Sequence, residues 1–269
     1  MDVIDTFKQK AKIVWADFAS MENLTGTAAP TLVKFAGITT KDKVLDVACG
    51  TGVVALTAAR CGATVIGTDL TPQLIERAKE NAKICNLSAD FYESDVESLP
   101  FRDNSFDIVV SQFGHMFAPR PNVALGEMMR VLKPNGTIAF ATWPPELFMG
   151  KFFKLNSKYG PPLPKEVSSP VLWGNIDEVT KRLSPFVQNL IFDRDRIMLQ
   201  GLSVNHLRHI FETSTGPLKK MMTLLSNEPQ KLNSIRSELD KIISDYFHNN
   251  QLKLDFLLTK GYKARTAKN

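Results

Sequence analysis

Apolar and polar positions follow two different periods along this chain. Over residues 3–36, Phe7, Ala11, Val14, Trp15 and Phe18 recur at the spacing of one helix face. Thr25-Gly26-Thr27-Ala28-Ala29-Pro30 interrupts that pattern, and Pro30 suits the opening of a second helix that ends at Gly37. From residue 43 onward, short β-branched runs alternate with helical patterns. Strands are predicted over 43–47, 64–68, 89–93, 106–111 and 137–143. Helices are predicted over 52–60, from Pro72 to Cys85 with Thr71 as N-cap, and over 122–132. Lys133-Pro134-Asn135-Gly136 reads as a turn before the fifth strand.

Past Trp143 the alternation breaks. Pro144-Pro145 and then Gly160-Pro161-Pro162-Leu163-Pro164 predict a long irregular insertion. A short helix over 177–183 follows, then strands over 188–199 and 252–260. Between those strands, residues 203–249 read as two or three amphipathic helices, long enough to cover something. Repeated strand–helix units predict an α/β, doubly wound, seven-stranded and mostly parallel sheet. Three regions are expected: an N-terminal helical lid at 1–37, an α/β core at 38–143, and a substrate-side insertion with helices and the last two strands at 144–269. No internal repeat interrupts this order.

Composition narrows the class. A chain of 269 residues with 43% hydrophobic content can bury a large core without cross-links. Three cysteines at irregular spacing form neither a disulfide framework nor a zinc pattern, which suits reduced thiols in the cytoplasm, and no metal site is expected. Met1-Asp2-Val3-Ile4-Asp5 lacks the basic flank and apolar run of a signal peptide, and no apolar stretch has the length of a membrane span. The net charge of +5 is uneven: the first 143 residues carry 14 Lys and Arg against 16 Asp and Glu, and the remainder carries 19 against 12. Those basic residues are scattered and not interleaved with aromatics, which argues against a nucleic-acid surface. Nothing in the sequence sets an oligomeric state.

The candidate chemistry sits at successive strand ends. Val44-Leu45-Asp46-Val47-Ala48-Cys49-Gly50-Thr51-Gly52 reads as a strand running into a glycine turn and a helix. Asp46 lies before the glycines, where a turn that only cradled phosphate would not want an anion. It suits an ammonium or sulfonium neighbour. Asp69 ends the second strand, placed to accept from a ribose diol. Asp95 and Val96 follow the third and suit an exocyclic amine. Ser111 and Gln112 follow the fourth. In an open α/β sheet these ends share one rim, and together they imply a nucleoside joined to a zwitterionic tail.

Those residues, with Leu99-Pro100-Phe101, Asp103-x-Ser105-Phe106-Asp107 and Leu132-Lys133-Pro134-x-Gly136, resemble the class I S-adenosylmethionine-dependent methyltransferases. The small-molecule group similar to the ubiquinone and menaquinone methyltransferases is the nearest in character. The resemblance is strong over residues 40–143 and weak beyond. It implies that Asp46, Ala48, Gly50 and Gly52 surround the methionine part of S-adenosylmethionine. It further implies that Asp69 and Leu70 hold the ribose and flank the adenine, and that Asp95 and Val96 contact the adenine. Ser111, Gln112 and His115 would then line the wall between cofactor and acceptor. The product would be S-adenosylhomocysteine, the partner a small-molecule methyl acceptor.

His115 is the sole histidine of the first 200 residues and the best candidate for a base. His206, His209 and His248 fall on later segments and are read as solvated or capping groups. Phe113, Met116, Phe117, Trp143, Phe148, Phe152, Phe153, Tyr159 and Trp173 are dense around the inferred cleft, which points to a small apolar or aromatic acceptor. Three alternatives stand beside this reading. Gly50-x-Gly52-x-x-Ala55 followed by Asp69 also fits an NAD-dependent oxidoreductase, against which stand Asp46, Asp95 and the lack of Tyr-x-x-x-Lys. The basic C-terminal half admits methylation of RNA or protein, although Ser111-Gln112-Phe113-Gly114 is not the Pro-Pro-aromatic turn of amino-methylating DNA enzymes. A non-catalytic subunit that keeps the fold is the third.

Overall fold

The computed structural model describes residues 2–264; Met1 and residues 265–269, the end of the region predicted at 144–269, lie outside the described residues. The N-terminal segment forms α1 (Val3–Trp15), a 3-10 turn, α2 (Glu22–Gly26) and α3 (Ala29–Ala36). Pro30 sits in the first turn of α3, and Gly37 closes it in the left-handed region at φ +75°. The core follows as β1 (Lys43–Val47), α4 (Val53–Arg60), β2 (Thr64–Asp69), α5 (Pro72–Cys85), β3 (Asp90–Glu93), β4 (Phe106–Gln112), α6 (Pro121–Val131) and β5 (Leu132–Thr142). Beyond it lie α7 (Phe148–Tyr159), α8 (Ile176–Leu183), β6 (Val187–Gln200), α9 (Val204–Ser214), α10 (Gly216–Leu224), α11 (Pro229–Tyr246), β7 (Phe247–His248) and β8 (Gln251–Lys263).

The strands form one sheet in the order β3-β2-β1-β4-β5-β8-β6, with the two-residue β7 paired to β8. Pairings among β1 to β5 are parallel, and β8 runs antiparallel between β5 and β6. The predicted doubly wound, mostly parallel sheet is therefore present; its antiparallel member is β8, and the short β7 is an addition. Strand order reverses between β1 and β4, and a crevice opens there at the strands' carboxyl ends. Val44, Leu45, Val109, Val110 and Phe140 are fully buried in the sheet, and burial of such side chains is the main drive for the fold.

Two local readings change. The insertion after Trp143 is irregular only in part: Phe148, Phe152, Leu155 and Tyr159 recur at helix spacing and form α7, whose first three are buried, while residues 160–169 form no helix or strand. The Lys133–Gly136 segment is not a turn before β5 but a bulge inside it. Phe106 pairs with Leu132 and Ile108 with Thr137, and Asn135 takes φ +61° to absorb the extra residues. No helix bridges β3 and β4. Arg130 of α6 instead binds the carbonyls of Leu99 (2.9 Å) and Phe101 (2.6 Å), and Glu127 accepts from the Leu99 N–H (2.8 Å). That clamp sets the Leu99-Pro100-Phe101 path. Among the described residues no helix is long and apolar enough to cross a membrane.

At the end of β5, the fully buried Thr142 hydroxyl donates to the Trp173 carbonyl at 2.7 Å and fixes the 3-10 turn Pro170–Gly174 on the sheet. Thr142→Val keeps the shape but leaves that carbonyl without its donor. The expected loss is about 1–3 kcal/mol of unfolding free energy, read by urea denaturation.

Candidate active site

A cavity opens at the carboxyl ends of β1, β2 and β4, under α1. Its acidic half is built on the turn after β1. Ala48 (φ +51°), Gly50 (φ +55°) and Gly52 (φ +82°) all occupy left-handed backbone, which folds the chain back before α4. Gly52 is the N-cap of α4 and has no side chain to cap with. Asp46 does that work: its Oδ2 accepts from the Ala55 N–H at 3.0 Å, in the first turn of the helix. Asp69 holds the turn from the other side, its Oδ2 accepting from the Gly50 N–H (2.9 Å) and its Oδ1 from the Thr71 N–H (2.8 Å). Thr71 occupies the N-cap position of α5 as predicted, but its hydroxyl makes no cap bond.

Both carboxylates are buried, and burial is the leading influence on each. It raises the Asp46 carboxyl to about 8; the Ala55 N–H opposes that rise, and the charge of Asp69 adds to it. It raises Asp69 as well, against the pull of the Thr71 and Gly50 N–H groups. Between them, burial and then the two carboxylates push the Cys49 thiol up. Asp46 Oδ1 has no protein partner and is one of two unpaired buried oxygens among the residues lining the cavity. The other is Gln112 Oε1, whose Nε2 donates to the Thr25 carbonyl at 2.7 Å.

Asp95 carries an interaction that no sequence pattern announces. Lys8 of α1 reaches Asp95 Oδ2 at 2.5 Å and the buried Glu97 at 2.6 Å, and Glu97 is also paired to Arg120 at 2.7 Å. One turn on, Lys12 pairs with Glu93 at 2.5 Å. The same helix turns Phe7, Ala11 and Trp15 into the cavity, so the apolar face predicted for the first helix lines a cavity and not the core. The other half of the cavity is aromatic, with Phe113, Phe117, Trp143, Phe152 and Phe153 in its wall.

Of the predicted site residues, Asp46, Ala48, Gly50, Asp69, Leu70, Asp95, Val96 and Gln112 line this cavity together. Gly52, Ser111 and His115 do not. A Cβ on Gly52 would lie 3.0 Å from the Phe91 ring, so this glycine serves packing and backbone. The Ser111 hydroxyl donates to the Val47 carbonyl (2.8 Å) and accepts from the His115 N–H (3.1 Å), tying β4 to β1. His115 turns away and packs between Phe140 and Trp173, with ring centroids 4.6 and 4.7 Å apart. Burial, followed by the charge of Arg182, lowers its pKa to about 3. A histidine outside the cavity and neutral throughout the physiological range is not placed to act as the expected base. His206 Nδ1 accepts from the Leu202 N–H at 3.2 Å, at the start of α9. The lining residues missed from sequence include Lys8, Cys49 and Thr25. Only Cys49 had a signal, its place inside the glycine turn.

Known proteins resemble this chain in sequence and in fold. A family profile described as "Methyltransferase domain" matches residues 45–140. An uncharacterised protein of Mycobacterium tuberculosis is 32% identical over 256 residues, covering 94% of this chain and 93% of that protein. A demethylmenaquinone methyltransferase of Thermus thermophilus is 38% identical over 105 residues, covering 38% of this chain and 48% of its own length. The solved structure of a putative methyltransferase from Bacillus halodurans superposes with a TM-score of 0.60 at 18% identity, over 88% of this chain and 99% of that one; at that identity it speaks for the fold alone.

Burial of Asp46 makes the stability of the fold depend on pH. Its folded pKa of about 8 lies above the ordinary 3.8, so the folded state holds the proton more tightly than the unfolded state does. Its contribution to stability is present below the lower value and is lost as pH rises toward the higher one, at up to about 1.4 kcal/mol per pH unit. Asp46→Asn removes that slope. Unfolding free energies at pH 5 and pH 8 should shift in favour of the variant at the higher pH; a constant difference between the two proteins would refute the assignment.

Proposed function

The chain belongs to the class I S-adenosylmethionine-dependent methyltransferases, and from that membership we propose that it methylates a small apolar or aromatic molecule seated in the aromatic half of this cavity, with S-adenosylmethionine in the acidic half. The observation that carries the reading is the unpaired Asp46 Oδ1. It lies in the same cavity wall as a second unpaired buried oxygen, Gln112 Oε1, and in its ionised form what it lacks is a donor. An ammonium group supplies it, and a positive charge there restores the ionised form of Asp46 that burial disfavours.

The remaining residues suit the rest of a nucleoside. Each oxygen of Asp69 already accepts one backbone N–H and keeps a lone pair for a ribose hydroxyl. Asp95 is held by Lys8 and the Glu97 N–H with acceptor capacity left for an adenine amine. Leu70 and Val96, both in the cavity wall, would flank that ring. When bound, S-adenosylmethionine supplies a methyl group on a sulfonium, ready for in-line displacement.

The protein's own part in such a transfer is position and dryness. The glycine turn fixes one partner against the strand ends, and α1 with the aromatic wall keeps water from the other. Thr25 and Thr215, also in the wall, spend their hydroxyls on the carbonyls of Met21 (3.2 Å) and Phe211 (2.5 Å). The acceptor therefore meets an apolar surface relieved by Gln112. The partial likeness to a demethylmenaquinone methyltransferase supports a ring-containing acceptor of this kind.

Isothermal titration with S-adenosylhomocysteine tests the assignment. Binding is expected, weakened at least about tenfold by Asp69→Ala, the scale of losing a hydrogen bond to a charged group. Because Asp46 is largely protonated at pH 7 before the ammonium arrives, binding should release close to one proton, measured as a dependence of the heat on buffer ionisation enthalpy. Tight binding of NAD with no response to S-adenosylhomocysteine is the outcome that defeats the proposal.

A further inference from the structure

Among the described residues, eight non-glycine positions take a positive φ, and six of them are asparagines, which tolerate it. The other two are Ala48 and Phe113, and both line the cavity. A bulky aromatic residue at φ +59° is strained, and such strain persists only where the surroundings hold it. Here they do. The Phe113 N–H donates to the Ala141 carbonyl at 2.9 Å. Its ring stacks on Trp143 at 3.9 Å between centroids and 11° between planes, and Phe256 packs edge-on against it at 5.4 Å and 83°. The next residue, Gly114, lies so close to the cofactor turn that a Cβ there would stand 2.4 Å from the Ala48 carbonyl oxygen. The stack is thus rigid, lines the cavity and borders the turn that carries Asp46.

We propose that Phe113 and Trp143 form a flat platform that sets acceptor specificity: a planar aromatic molecule extends the stack by one ring and is held there beside the methyl donor. The proposal rests on the methyltransferase reading and deepens it, by selecting planar rings over apolar molecules in general. The physical basis is geometric. Both rings line the cavity, and a planar π-system can lie parallel to such a stack where a puckered hydrocarbon of the same carbon skeleton cannot.

The test uses the full chain saturated with S-adenosylhomocysteine and two probes, 2-naphthol and decahydro-2-naphthol, followed by calorimetry. The first should bind at least about tenfold more tightly than the second, the discrimination one aromatic pair supplies. Phe113→Leu and Trp143→Leu, which keep an apolar side chain, should each bring the two probes to within about threefold of one another while S-adenosylhomocysteine still binds. That retained binding also certifies that the variants are folded. Equal affinity for the two probes in the unaltered protein, no binding of 2-naphthol, or discrimination that survives both substitutions overturns the platform. Failure of S-adenosylhomocysteine itself to bind strikes at the methyltransferase reading instead.

Discussion

A buried carboxylate at the end of β1 organises this molecule. Asp46 Oδ2 takes an N–H from the first turn of α4, a bond that the side-chain-free N-cap Gly52 cannot supply. Asp69 braces the same turn through the Gly50 N–H. Between these two anchors the backbone adopts three left-handed residues, and α4 starts where it must to cover the sheet. The arrangement leaves Asp46 Oδ1 buried and unpaired. One oxygen of this side chain therefore holds the fold, while the other is buried without a partner and keeps the ionised form unfavourable.

The aromatic half depends on that turn. Gly114 fits against Ala48 only because neither position carries a larger group, and this contact sets where β4 ends and where Phe113 turns. Phe113 then meets Trp143, which closes β5, so the platform joins the ends of two neighbouring strands. The first helix completes the enclosure by a different kind of force. Its attachments to the loop after β3 are ion pairs of Lys8 and Lys12 with Glu93, Asp95 and Glu97, while its apolar face lines the cavity. Charge thus places a hydrophobic surface over a cavity instead of in the core.

The sheet was legible because its strands are β-branched runs punctuated by glycine and proline, and because parallel pairing of such runs admits few topologies. The acidic half was legible for a related reason. In a parallel sheet the carboxyl ends of adjacent strands share one edge, so Asp46, Asp69 and Asp95 meet once the strand order is set. The helix α7 was hidden by the prolines at both its ends, which look like a loop until Phe148, Phe152 and Leu155 are seen to bury one face.

By itself, then, the sequence determined the strand–helix alternation, the glycine turn and the set of acids on one rim, because these follow from local periodicity and from topology. Tertiary structure alone decided which way side chains beyond the strand ends point. His115 and Phe113 are two residues apart, yet one is sealed against Phe140 and Trp173 and the other lines the cavity. Phe113's strained φ, unavailable to any local rule, separates them. Lys8 is buried only because carboxylates nearly ninety residues away come to meet it. Such outcomes depend on packing and charge pairing between distant segments, and no window of neighbouring residues contains both partners.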